Sequence, residues 1–228
     1  MNSYKIGLID EDSSDLDFIK RTILVNKPKS ITEEQIVFWE APLPTDSCDS
    51  LEAIINDLVK AITDEEIQIL IVDYKIVVST KIFEGTDIFK ALSERLSKFP
   101  LIMLSNLSED CYSKEFVDAD KVYSKREFFK IESDYSKEKV ANIFRNMDKY
   151  SYQRAKLTTQ LAEQLGNLET DGYSSDSLRA IVEIEKALGD FTPQDQNTVE
   201  KALDMEELKE AVDILKHAQD LIGDGNED

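Results

Sequence analysis

The chain predicts an α/β fold: a five-stranded, doubly wound parallel sheet followed by an all-α extension. Three observations carry that expectation. Runs rich in Ile, Leu and Val recur without polar alternation, as Ile6-Gly7-Leu8-Ile9, Ile69-Leu70-Ile71-Val72 and Leu101-Ile102-Met103-Leu104, which is the pattern of strands covered on both faces. Amphipathic stretches of helical period lie between the runs. Beyond about Ser136 only helical periodicity remains.

The first strand leads into a helix opened by Ser13 and Ser14, with Leu16, Ile19 and Ile23 on one face. Strand two is Ile36 to Trp39. The second helix carries Leu51, Ile54, Ile55, Leu58, Val59 and Ile62 at spacings of three and four, after the capping candidates Asp49 and Ser50. Strand three, Ile69 to Val72, precedes an apolar stretch, Ile76 to Glu84, containing Val77, Val78, Ile82 and Phe83. That stretch reads either as a strand extension or packed insertion, or as a gate or partner contact on a functional loop. The third helix begins near Thr86, runs through Ile88, Phe89, Leu92 and Leu96, and stops before Pro100. Strand four is Leu101 to Leu104, a short helix follows Ser108, and Val122 to Ser124 form strand five.

Each strand but the second ends in polar chemistry. Asp10 and Glu11 follow the first strand, Asp73 the third, Ser105 the fourth and Lys125 the fifth. In a parallel sheet these residues emerge at the carboxyl edge, where such folds bind ligands. Carboxylates at that edge can be hydrated or hold a cation, whereas inside the sheet they would be severely destabilised. Oxygen donors beside one ammonium and one hydroxyl suit phosphoryl transfer with Mg²⁺ (or Mn²⁺).

These residues, in this order, resemble the receiver domain of two-component response regulators over residues 3 to about 150. The resemblance implies strand order 2-1-3-4-5, Asp73 as phosphoacceptor, and Asp10, Glu11, Asp73 and the backbone carbonyl of Lys75 as metal ligands. It implies Ser105 and Lys125 as phosphoryl-binding switch residues and a sensor histidine kinase or histidine phosphotransfer protein as donor. The product is a switch state, with at most self-dephosphorylation in place of enzymatic turnover. Readout is implied through the fourth helix, fifth strand and fifth helix. Several positions depart from the pattern. Val122 stands where an aromatic commonly rotates, with Tyr123 beside it. Arg126 follows Lys125 where proline is usual, so a trans peptide is expected. Lys75 and Asn106 are candidate modulators of the phosphorylated state.

Two other functions fit parts of the pattern. One is a receiver-like scaffold that works without phosphorylation, against which stands the repulsion within an unused carboxylate cluster. The other is a haloacid-dehalogenase-type phosphatase with Asp10 as nucleophile in Asp10-Glu11-Asp12. It leaves Asp73 without a role and lacks a further acidic pair after a later strand.

The 228 residues suggest two units. Forty-seven acidic against 27 basic residues give a net charge of −20, which opposes nucleic-acid binding, since phosphate contacts need Lys and Arg. Residues 169 to 228 hold 17 of the acids and 5 of the bases, so a DNA-binding output is not expected there, and basic protein partners fit better. No apolar run nears the roughly 18 residues of a membrane span, and no signal-peptide pattern opens the chain; a cytoplasmic protein without membrane insertion is expected. Cys48 and Cys111 lack metal-type spacing and suit a reducing compartment, where the glycosylation triplet Asn106-Leu107-Ser108 is coincidence.

The expected plan is a receiver core over 1–135, an extended fifth helix or connector over 136–168, and an acidic helical region over 169–228. The connector carries Val140, Ile143, Phe144, Met147, Leu157, Leu161, Leu165 and Leu168, while Ser151, Arg154 and Thr158 interrupt any coiled-coil seam. A helix with Leu178, Ile181, Val182 and Leu188 ends near Gly189, and further helices follow Pro193. This part is expected to pack on itself or on a second copy as a homodimer, or to dock an unknown protein target, with phosphorylation altering those contacts. His217, the single histidine, reads as solvated.

Overall fold

The computed structural model describes residues 3–43, 50–78, 81–106, 118–171 and 175–191. Among the described residues seven strands form: β1 (Tyr4–Ile9), β2 (Ile36–Glu40), β3 (Ile69–Asp73), β4 (Lys75–Val78), β5 (Lys81–Glu84), β6 (Leu101–Ser105) and β7 (Val122–Ser124). The helices among the described residues are α1 (Ser13–Asn26), α2 (Ser50–Thr63), α3 (Gly85–Arg95), a one-turn α4 (Lys125–Phe128), α5 (Asp134–Asp171) and α6 (Ser175–Gly189).

Five strands make an all-parallel sheet in the order β2-β1-β3-β6-β7. The expected numbering 2-1-3-4-5 becomes 2-1-3-6-7 because residues 75–84 form their own antiparallel pair, β4 with β5. That segment is therefore not an extension of the third strand. Lys75 pairs with Glu84 and Ile76 with Phe83, so the hairpin leaves the sheet edge and returns the chain to it. Ile76 is fully buried, as expected of a packed insertion.

The continuous apolar runs have the predicted consequence. β3 is buried through Val72 and β6 along its whole length, because helices cover both sides. On one face Ile6, Leu8, Ile69, Ile71, Ile102, Leu104 and Tyr123 pack with Leu16, Ile19 and Ile23 of α1 and with Val140, Ile143, Phe144 and Met147 of α5. Strand alternation sends Leu70, Val72, Leu101 and Met103 to the other face, where α2 and α3 bury Ile54, Leu58, Ile88, Phe89 and Leu92. Each such side chain contributes roughly 1.5–3 kcal/mol.

The early part of α5 is thus core. Tyr150 meets Phe99 edge-on at 5.5 Å and Phe191 at 5.5 Å, and its hydroxyl donates to the Phe191 carbonyl. The first compact unit accordingly comprises Met1–Arg154 with Asp190–Pro193, and the division falls inside α5. The second unit comprises Ala155–Gly189 with Gln194–Asp228. Within it, α6 buries Ile181 and half-buries Leu178 and Leu188. Among the described residues no helix is long and apolar enough to cross a membrane. The short helix after Ser108, both cysteines, Asp49, His217 and the helices beyond Pro193 lie outside the described residues.

Gly85 opens α3 directly after β5, where the chain comes back beside the end of β3. Its N–H donates to the Tyr74 carbonyl at 2.6 Å, and a Cβ there would lie 2.0 Å from the Asp73 carbonyl oxygen. Gly166 in α5 has open space around the same position. Gly85→Ala should therefore lose about 2–3 kcal/mol to overpacking, whereas Gly166→Ala should gain about 0.5–1 kcal/mol of helix stability. Urea unfolding of the two variants checks both signs.

Candidate functional site

Local sequence explains how each polar residue reaches the sheet's carboxyl edge. β1 stops at Ile9 because Asp12 becomes the N-cap of α1, its carboxylate accepting the Ser14 N–H at 2.8 Å. Asp10 and Glu11 are thereby held in the β1–α1 turn, and Asp15 falls in the first turn of α1. On β3, Asp73 is the last residue, and the following Tyr74 N–H still donates to the Leu104 carbonyl of β6. Lys125 does not end a strand as expected. It opens the single turn α4, capped by the Ser124 hydroxyl, which accepts the Glu127 N–H. Among the described residues no peptide bond is cis, so Lys125 and Arg126 are joined in trans.

The turn of α4 aims Lys125 inward. Its ammonium lies 2.8 Å from Asp10, 2.6 Å from Asp73 and 2.5 Å from Asp15. The Lys125 side chain is 6% exposed, against 2% for Asp10, 11% for Asp73 and 28% for Asp15. The second oxygens of Asp10 and Asp73 are engaged too. Asp10 accepts the Asp12 N–H at 2.9 Å, and Asp73 accepts the Lys75 N–H at 2.8 Å. Ligand oxygens of Asp10, Glu11 and Asp73 lie within 4.8 Å of one another.

A cleft of about 110 Å³ opens beside Asp73, lined also by Tyr74, Lys75, Ser105, Asn106 and Lys125. Ser105 is buried at its floor, while Lys75 and Asn106 are exposed. Val122 and Tyr123 stand apart from this group. Val122 is buried in β7 beside Met103, and Tyr123 is enclosed in the core on the α1–α5 face, near Phe128, where burial pushes its phenol up to about 12. The sheet therefore brings together Asp10, Glu11, Asp73, Lys75, Ser105, Asn106 and Lys125, and leaves Val122 and Tyr123 in the packing beneath.

Asp15 is the member that the sequence pattern missed. It follows no apolar run, and only the placement of the α1 N-terminus at the same sheet edge brings it in. Its sequence signal was its place in the first turn of a helix starting at that edge, a position that also suits an anion.

Burial raises the Asp10 carboxyl to about 6, against the lowering effect of the Lys125 and Asp12 hydrogen bonds. For Lys125, burial alone would favour the neutral amine. The hydrogen bonds to Asp10, Asp15 and Asp73 outweigh it and hold the ammonium above its ordinary value. Lys125 thus stays charged, and three carboxylates surround one fixed ammonium.

The donor set fits a hard divalent cation, being three carboxylates with oxygens close enough to converge on one ion. Asp10 and Asp73 are shared with Lys125, so such an ion would compete with the ammonium. Both oxygens of Asp10 are engaged, and the Asp12 carboxylate caps α1. No protein-family model matches the chain, and no curated protein matches its sequence significantly.

Folding favours protonated Asp10, so its contribution to stability is fully present below pH 3.8 and is lost as pH rises through about 6. Asp10→Asn mimics the protonated form at every pH. In metal-free buffer, the stability difference (variant minus wild type) should be larger at pH 7 than at pH 4 by about 2–3 kcal/mol. Calorimetry at the two pH values measures it, and equal differences would show that burial does not raise Asp10.

Proposed function

We propose that this chain is a receiver-type signalling protein that accepts a phosphoryl group on Asp73, with Mg²⁺ or Mn²⁺ held by Asp10, Glu11 and Asp73. One observation carries the proposal. Asp73, at a strand end and open to a cleft, is 2.6 Å from a buried ammonium and shares a carboxylate cluster able to hold a cation.

Of Asp10 and Asp73, which both bind Lys125, Asp73 is the one lining the cleft, which suits it as the nucleophile. A carboxylate oxygen of Asp73 would attack phosphorus in line. The new P–O bond replaces the P–N bond of a phosphohistidine, and the imidazole leaves with the electron pair and takes up a proton. Lys125 offsets the charge added to Asp73, and the Ser105 hydroxyl lies in the cleft where a phosphoryl oxygen could accept from it. The bound cation would supply charge neutralisation at the phosphoryl oxygens. The Lys75 amide already orients Asp73, while a ligand role for the Lys75 carbonyl rests on the resemblance alone. Lys75 and Asn106 line the cleft and are positioned to influence hydrolysis of the acyl phosphate.

The net charge of −20 favours an output through protein contacts or self-association of the helical C-terminal region over DNA binding. A phosphorylation-independent scaffold remains as a second reading, and one observation favours it. Lys125 compensates Asp10, Asp15 and Asp73 together, so the cluster can stand as a structural ion-pair network without any ligand.

Incubation with acetyl phosphate and Mg²⁺, followed by mass spectrometry, separates the readings. The expected result is label on Asp73 that is absent from Asp73→Asn. Transient label on Asp10 would instead indicate a phosphatase. Absence of label from acetyl phosphate and from a histidine kinase would leave the scaffold. With label present, Lys75→Ala should change the phosphate lifetime, and equal lifetimes would remove Lys75 from the site's chemistry.

A further inference from the structure

Lys125 has three carboxylate partners, and they are not equivalent. Asp10 and Asp73 belong to the group whose oxygens converge within 4.8 Å, together with Glu11. Asp15 does not belong to it, although it is bound to the same ammonium at 2.5 Å. It comes from a helix, whereas the other two come from strand ends.

A divalent cation on Asp10 and Asp73 would repel an ammonium sharing those oxygens, and the low dielectric around a 6%-exposed side chain strengthens that repulsion. The ammonium cannot simply be left unpaired, because a buried uncompensated charge is strongly destabilising. Asp15 is placed to receive it. Its carboxylate is more exposed than the others and stands in the first turn of α1, where the helix dipole favours negative charge. Leu16 and Ile19, anchored in the core beside it, fix that turn in place.

We propose that Asp15 is a positioning residue: it retains the Lys125 ammonium when a divalent cation takes over Asp10 and Asp73, and so sets the affinity of the site for that cation. The inference rests on the cation site proposed above and adds a residue acting on it through Lys125. Asp15 would lower the cost of metal entry and keep the ammonium beside Asp73, ready to meet added phosphoryl charge.

The test is a Mn²⁺ titration of the full chain, followed by electron paramagnetic resonance of the free ion, for wild type, Asp15→Asn, Asp15→Glu, Lys125→Met and the Asp15→Asn/Lys125→Met double variant. Asp15→Asn should weaken binding about tenfold, Asp15→Glu should restore most of it, and in the Lys125→Met background the Asn substitution should have little effect. An equal weakening in both backgrounds would mean that Asp15 acts only as a distant negative charge, and no weakening in either would remove its role; each overturns the inference. If Lys125→Met does not fold, acylation of the Lys125 amine in the intact protein decides. Under saturating Mn²⁺ its rate should rise about tenfold in Asp15→Asn, and by much less without metal, where Asp10 and Asp73 still hold the ammonium; equal rates in wild type and variant under Mn²⁺ overturn the inference. If wild-type protein binds no Mn²⁺ at all, the cation site itself fails. If it binds but Asp15→Asn is silent, only the role of Asp15 fails.

Discussion

The ammonium of Lys125 is the contact on which the acidic edge of this sheet depends. It joins the β1–α1 turn through Asp10, the first turn of α1 through Asp15 and the end of β3 through Asp73. Three carboxylates drawn so close would repel one another and resist burial. One ammonium among them changes the balance, and its own burial is tolerable only because the carboxylates are there. Neither side of the arrangement is stable without the other, which is why a one-turn helix is spent on turning Lys125 inward. The same interdependence makes the site sensitive to added charge: a cation or a phosphoryl group must displace or recruit the ammonium.

The scaffold around this contact supplies rigidity. β3 and β6 are covered on both faces, so Asp73 and Ser105 sit at the ends of strands with no freedom to slide. Gly85 adds a steric constraint, pressing backbone against the Asp73 carbonyl where the β4–β5 hairpin closes. The hairpin and the site are therefore joined by backbone packing within the same few residues. On the other face, α5 contributes Val140, Ile143, Phe144 and Met147 to the core beneath Tyr123. Tyr123 is consequently a packing residue, enclosed among the core side chains on the α1–α5 face of the sheet.

Where the sequence was legible, a single short-range rule sufficed. Unbroken apolar runs marked the buried strands because burial on both faces removes the need for alternation, and the residues ending them could be placed at one edge by topology alone. Asp10, Glu11, Asp73, Ser105 and Lys125 were all found that way. The rule failed where neighbouring rules competed. Residues 76 to 84 are as apolar as a strand extension, yet β4 and β5 pair antiparallel with each other as a separate two-stranded sheet. The first half of α5 has the stripe of a surface helix, and whether that stripe faced a connector or the core depended on the sheet face left open to it.

By itself, then, the sequence determined the α/β class, the parallel strands and the chemical inventory at their ends, since these follow from hydrophobic period and from the cost of burying charge. Tertiary structure alone decided which members of that inventory touch. Asp15 is marked locally only by its place in the first turn of α1, and it enters the site because α1 docks through Leu16 and Ile19 in one orientation. Pairing of an ammonium with carboxylates 52, 110 and 115 positions away is a property of the packed fold, where distance in space and distance along the chain are unrelated.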